Sequence, residues 1–184
     1  MVGITKWMPV IKWQVAATSL IFSSQLWASS SLETSGDIVH LALPATALAA
    51  TVFYEDGDQG MWQFAKAAVS ARLVTEGLKF AIDKERPDGS GNDSFPSGHT
   101  TDSFMAATFI QQRYGWQYGL PAYVGATFVA YSRVESDKHY LGDVLAGAAI
   151  GALAGWYFTD PYQDINVIPI VGNGQYGLYI SGRF

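Results

Sequence analysis

Two of the chain's three histidines stand where their neighbours could give them chemistry to do. His139 precedes Asp143 by four residues at the start of a predicted helix, a spacing that stacks both side chains on one face and lets the carboxylate take the imidazole Nδ1 proton. Nε2 is then free as a nucleophile, while Asp143 fixes the tautomer and stabilises the positive charge that develops during attack. His99 closes the run Phe95-Pro96-Ser97-Gly98-His99, directly before another predicted helix, where free backbone amides and the helix dipole favour an anion. Gly98 lets the backbone come close to a ligand, and the Ser97 hydroxyl can donate to an oxygen. The same serine also reads as a plain helix cap.

Cations complete the set. Lys79 and Arg86 are separated by nearly two helical turns and so fall on one face, with Pro87 fixing where the backbone departs. Arg133 follows Ser132 and precedes His139 by six residues. Taken singly, each feature has a bland reading: solvated charges, a cap, or a surface His–Asp pair worth about 0.3 kcal/mol. Together, three cations, an amide-rich turn and two imidazoles suit a tetrahedral oxyanion.

These residues need helices to hold them. The pattern predicts an apolar and therefore buried helix over 41–53, an amphipathic helix over 62–82 ended by Pro87, and a helix over roughly 98–113 capped by Ser97. A fourth follows Pro121 to about Tyr131. A fifth starts near His139 and runs to Phe158, with Ala and Gly allowing close helix contacts. After Pro161 the run VIPIV, a Gly172-Asn173-Gly174 turn and QYGLYISGRF read as a short β-hairpin acting as a structural flap, with Pro169 confining its first arm to an edge. The expected fold is all-α, a bundle of about five to six helices with a short C-terminal β-hairpin.

Composition limits the partners. The 184 residues are 49% hydrophobic and carry a net charge of −5, so nucleic acid is excluded as a partner for want of excess positive charge. There is no Cys, hence no thiolate metal site and no cysteine nucleophile. Residues 1–30 place Lys6 and Lys12 before an apolar stretch from Trp13 to Trp27 and then small residues, the layout of a secretory leader. The mature chain, residues 31–184, is expected to begin near Ser29 to Ser31 and to work in the periplasm or cell envelope; an uncleaved anchor ranks second. Trp62, Trp116 and Trp156 lie near predicted helix ends, where either an interfacial belt or the cap of an ordinary core would have them. Because most apolar stretches fall short of a clean span, a soluble or peripherally membrane-bound bundle is favoured over an integral one. His40 receives no role, Glu135 and Asp137 read as solvated loop charges, and the loop 88–94 reads as a connector.

The motifs K-x6-R-P, P-S-G-H and S-R-x5-H-x3-D, in that order from Lys79 to Asp143, resemble those of the type 2 phosphatidic acid phosphatase superfamily, which includes bacterial class A acid phosphatases and vanadium haloperoxidases. The resemblance implies a helical bundle in which His139 attacks phosphorus and forms a phosphohistidine, oriented by Asp143. It implies that His99 protonates the leaving oxygen, and that Lys79, Arg86, Arg133, Ser97 and the Gly98 amide neutralise the equatorial oxygens. No metal or other cofactor is implied, although vanadate could occupy the pocket as a phosphate mimic. Asp56-Gly57-Asp58 lacks the remaining calcium-loop positions and reads as a turn. The expected activity is hydrolysis of a phosphomonoester or diphosphate, preferentially on a lipid or lipid-linked substrate. A vanadate-dependent haloperoxidase and a catalytically silent phosphate-binding envelope protein are the alternatives.

Overall fold

The computed structural model describes the backbone of residues 8–162, 165–172 and 175–182, and the side chains of residues 31–162. The expected leader therefore falls on residues whose side chains lie outside the description, as does the Asn173-Gly174 turn.

The fold is all-α, with five helices among the described residues: α1 (Met8–Phe53), α2 (Gln59–Ala81), α3 (Gly98–Tyr114), α4 (Trp116–Glu135) and α5 (Leu141–Phe158). Helix α3 is central and touches each of the other four. It can be approached closely because α5 turns a file of glycines towards it. A Cβ at Gly147 would meet the Ser97 carbonyl at 2.5 Å, one at Gly151 the Thr101 carbonyl at 2.1 Å, and one at Gly155 the Met105 carbonyl at 2.8 Å. This contact fixes the start of α5 against the start of α3. Helix α4 begins at Trp116, five residues earlier than the expected start at Pro121. Pro121 falls in the second turn, where its missing N–H removes a single intrahelical bond.

The strands Ile165–Gly172 and Gln175–Gly182 pair antiparallel with each other, yet neither contacts a helix among the described residues. A two-stranded ribbon without a packing partner adds little stability. The expected hairpin flap is thus not supported as part of the fold, which rests on the five helices.

At one end of the bundle Arg113 is buried and donates to both oxygens of the equally buried Glu55, from Nε at 2.6 Å and from NH2 at 2.5 Å. It also donates to Gln63 and to the Asp160 carbonyl. These bonds tie together the turns on that side. The other end carries the C-termini of α2 and α4 and the N-termini of α3 and α5, where the sequence motifs lie.

Large and small apolar residues are sorted in an unusual way. The core is built mainly of small side chains, including Ala47, Ala67, Ala71, Ala106, Ala107, Ala122 and Ala126, around the Phe64–Phe109 pair. Leu41, Val52, Phe53, Phe80, Leu145, Leu153 and Tyr157 face outwards, Phe53 with 87% and Phe80 with 94% of its surface exposed. The expectation that the 41–53 helix is buried is therefore corrected: only a narrow face, including Ala47 and Thr51, packs inwards. Segments Ser31–Phe53 and Leu141–Phe158 are each long and apolar enough to cross a membrane. Trp62, Trp116 and Trp156 are all exposed near the Glu55–Arg113 end, so they do not cap the core.

Candidate functional site

Lys79 sits in the last turn of α2, but Arg86 lies beyond that helix, which ends at Ala81 with Ile82 in extended conformation. The expected shared helical face does not exist. The cations meet because the following loop folds back on itself. Ser94 N donates to the Lys84 carbonyl, Lys84 N to the Asn92 carbonyl and Arg86 N to the Gly91 carbonyl. Asp93 is thereby carried between the two cations. It accepts from Arg86 through both oxygens and from Lys79 Nζ at 3.3 Å, while Lys79 also donates to the Asp93 carbonyl at 2.5 Å. The loop read as a connector is a built part of the site.

Helix α3 opens with the predicted cap. Ser97 Oγ accepts from Thr100 N at 3.5 Å and from Thr100 Oγ1 at 3.0 Å, and Ser97 N donates to the Asp143 carbonyl at 3.0 Å. A Cβ on Gly98 would come within 3.1 Å of the Arg72 guanidinium, a tight contact that a small shift of that flexible side chain would relieve.

His139 is buried and precedes α5, two residues before its first residue. Its Nδ1 is 2.7 Å from the Ser94 carbonyl and 4.0 Å from Asp143 Oδ2. The carbonyl, not the carboxylate, is therefore the hydrogen-bond partner that leaves Nε2 free. Asp143 has other bonds. Its Oδ2 accepts from Ser94 Oγ at 2.6 Å and Tyr140 N at 3.0 Å, and its Oδ1 accepts from Lys84 Nζ at 2.5 Å. Asp143 thus orients His139 chiefly through Ser94, which bonds both. Lys84 is a functional candidate the motif reading missed; its position two residues before Arg86 was the available signal.

Arg133 is buried at the end of α4. It donates from NH2 to the Glu33 carbonyl at 2.9 Å, and its NH1 pairs with Asp37 Oδ1 at 3.0 Å. The same Asp37 oxygen is 3.2 Å from His99 Nε2, and the His40 ring lies 4.3 Å from the His99 ring. Helix α1 therefore forms a wall of the site through Glu33, Asp37 and His40. Their spacing of four and then three residues puts them on one helical face, a polar stripe on an apolar helix. His40, assigned no role from sequence, is in contact with the site. Asp137 takes a left-handed turn conformation (φ 55°) and its carbonyl accepts from Asp88 N, while Lys138 pairs with Asp88 at 3.0 Å, which locks the α4–α5 turn onto the α2–α3 loop.

Burial sets the protonation states. Desolvation lowers His139 to about 4, with Arg86 and Lys79 pushing the same way against the Ser94 carbonyl, so the ring is neutral above that pH. Desolvation also lowers His99 to about 4, helped by charge on His40, Arg133 and His139. Charge on Arg86 and Lys79 is thus felt at His139, and charge on Arg133 and His139 at His99. Asp93 is held at about 2, mainly by its hydrogen bond from Arg86. Among the described residues, no group of three His, Cys, Asp or Glu side chains is arranged to hold a metal ion. A buried neutral imidazole bonded at Nδ1 to a carbonyl and in the field of Lys79 and Arg86 has the protonation state a nucleophile needs, and the His99 imidazole, at 39% side-chain exposure, is partly open to solvent.

A family model described as the PAP2 superfamily matches residues 75–166. The chain is similar to the lipid A 1-phosphatase of Porphyromonas gingivalis, 39% identical over 92 residues that make up 48% of this chain and 20% of that protein. It is 34% identical over 113 residues to the lipid A 1-phosphatase of Helicobacter pylori, covering 55% and 58%. The chain thus spans about a fifth of the first relative and under three fifths of the second. Its fold is similar to the crystal structure of a transmembrane PAP2-type phosphatidylglycerolphosphate phosphatase from Bacillus subtilis, with TM-score 0.59, 24% identity, and coverage of 80% of this chain and 84% of that one. It is also similar to Aquifex aeolicus LpxE, with TM-score 0.54, 18% identity, and coverage of 72% and 85%.

Proposed function

The chain belongs to the PAP2 superfamily, and from that premise we propose that it is a membrane-embedded phosphatase that removes phosphate from a membrane lipid of the cell envelope. The observation that carries this reading is His139: buried, neutral, bonded at Nδ1 to a backbone carbonyl, and in the field of Lys79 and Arg86. In this reading Nε2 attacks phosphorus in line and forms a phosphohistidine while the bond to the lipid oxygen breaks. His99 gives that oxygen its proton. Water then attacks the phosphohistidine and returns a proton to His99, and His139 is released. Lys79, Arg86 and Arg133 neutralise the equatorial oxygens, with the Ser97 hydroxyl and the Gly98 amide, so the reaction needs no metal.

The surface supports a lipid substrate. Helices packed through Ala and Gly with Leu, Phe and Tyr outside suit a hydrocarbon surround, where small residues let helices approach and large ones meet lipid. The exposed Trp62, Trp116 and Trp156 suit a headgroup belt at the end away from the site. This reverses the preference for a soluble bundle. The curated relatives' names make lipid A the first substrate to try. Export is proposed to depend on residues 1–30, and cleavage near Ser30 would leave Glu33, Asp37 and His40 in the mature chain.

The test is phosphate release by the full chain in detergent with EDTA present. The panel is lipid A, phosphatidate, phosphatidylglycerol phosphate, a polyprenyl diphosphate and a soluble aryl phosphate. Turnover of a lipid substrate that falls by about 10³-fold or more in His139→Ala is expected. Undiminished activity in that variant removes the nucleophile, and halide oxidation with vanadate and peroxide in place of phosphate release overturns the phosphatase reading.

A further inference from the structure

We propose that Asp37, on a helix outside the matched family region, is the positioning carboxylate of His99: it holds the imidazolium that protonates the leaving oxygen and ties that ring to Arg133. This rests on the reading of His99 as general acid.

The geometry is specific. One oxygen, Asp37 Oδ1, lies 3.2 Å from His99 Nε2 and 3.0 Å from Arg133 NH1, so a single carboxylate bridges the proposed acid and a phosphate-binding cation. That oxygen is shielded from solvent and makes no aligned hydrogen bond, although it is ion-paired. It is therefore available to accept once the imidazole turns. The helix bearing it packs closely against α4, since a Cβ on the preceding Gly36 would lie 2.0 Å from Ser132 Oγ, and the Glu33 carbonyl accepts from Arg133.

Charge gives the carboxylate its task. Arg133 from α4, His139 from the α4–α5 turn and His40 from α1 all oppose a proton on His99. Arg72 from α2 is engaged by Asp102, which lies 3.8 Å from His40 Nε2. Of the side-chain charges acting on His99, Asp37 is the one that favours its protonated form. As the His139 Nε2–P bond forms and the P–O bond to the lipid breaks, the proton on His99 Nδ1, the nitrogen that Asp37 does not face, moves to the leaving oxygen. Water then forms the new P–O bond, its proton returns to His99, and the carboxylate again faces an imidazolium.

The chain contains three histidines, so ¹³C-histidine NMR of the full chain in detergent gives three ring signals, assigned with His40→Gln and His139→Gln. In inorganic phosphate, Asp37→Asn is expected to lower the His99 midpoint by about 1 pH unit, and the alkaline limb of kcat to move down with it. Asp37→Glu, which keeps the charge, is expected to restore most of both. Added to His99→Ala, Asp37→Asn is expected to lower kcat much less than it does in the wild type, the remaining loss being that of its contact with Arg133. A His99 midpoint unmoved in both Asp37 variants overturns the proposal, as does a full additional loss in the His99→Ala background. The NMR midpoint needs no turnover, so a chain inactive on every substrate sinks the phosphatase reading while the pairing is still decided.

Discussion

Arg86 holds Asp93 by both oxygens, Nε to Oδ1 at 2.8 Å and NH2 to Oδ2 at 2.9 Å, the fork-to-carboxylate geometry with which arginine also binds phosphate. Lys79 closes on the same carboxylate. Asp93 thus keeps two proposed phosphate ligands together and competes with substrate for them. Replacing it with Asn removes the competing charge. For a pair with a half-exposed carboxylate worth about 1 kcal/mol, the inhibition constant of vanadate is expected to fall about fivefold. Competitive inhibition against an aryl phosphate reads this directly, and a weaker vanadate affinity would show that preorganising the cations outweighs the competition.

The two low imidazole values set the pH dependence. For kcat/KM, which reports the free enzyme, His139 must be neutral and is lost below about 4, while the His99 proton is lost above about 4, so the profile is a narrow bell at acid pH. In the complex, bound phosphate adds negative charge beside His99 and raises it. The alkaline limb of kcat is expected at least about 1 unit above that of kcat/KM. Coincident limbs would remove His99 from the acid role.

The same values predict how stability responds to acid. Both rings titrate near 4 when folded and near 6.5 when unfolded, so the unfolded chain binds protons first as pH falls. Their contribution is complete above about 6.5 and drains away down to about 4. Thermal unfolding in detergent between those limits is expected to show a falling Tm in the wild type and a shallower fall in His139→Gln.

Lys84 neutralises a fully buried carboxylate. Lys84→Met leaves Asp143 with its bonds from Ser94 and Tyr140 but no cation. It is expected to cost about 2 kcal/mol in denaturant unfolding, discounted for the lysine's partial exposure. Adding Asp143→Asn to Lys84→Met should cost far less than the sum of the single changes.

Two glycines of α5 separate close packing from helix propensity. A Cβ at Gly151 has the Thr101 carbonyl at 2.1 Å, so Gly151→Ala must push α3 and α5 apart and is expected to cost about 2 kcal/mol and reduce kcat. Gly142 has nothing within 4 Å, and Gly142→Ala is expected to stabilise by about 0.5 kcal/mol. Equal Tm values for the two variants would contradict the close helix contact.

The sequence by itself determined which groups could act. Lys79, Arg86, Ser97, Gly98, His99, Arg133, His139 and Asp143 were singled out as candidates because chemistry is carried by residue type, and short spacings report what shares a turn or precedes a helix. What lies across a helix–helix contact was not readable. The Ser94 carbonyl on His139, Lys84 on Asp143, the Asp93 clamp, and Asp37 and His40 against His99 depend on which helix faces meet, and the glycine file of α5 and the contact of Gly36 with Ser132 decide that. The surround was hidden for a related reason. A mean hydropathy of +0.11 averages over all faces, whereas only the folded bundle sorts most alanine and glycine inwards and side chains such as Leu41, Phe53, Phe80, Leu153 and Trp156 outwards.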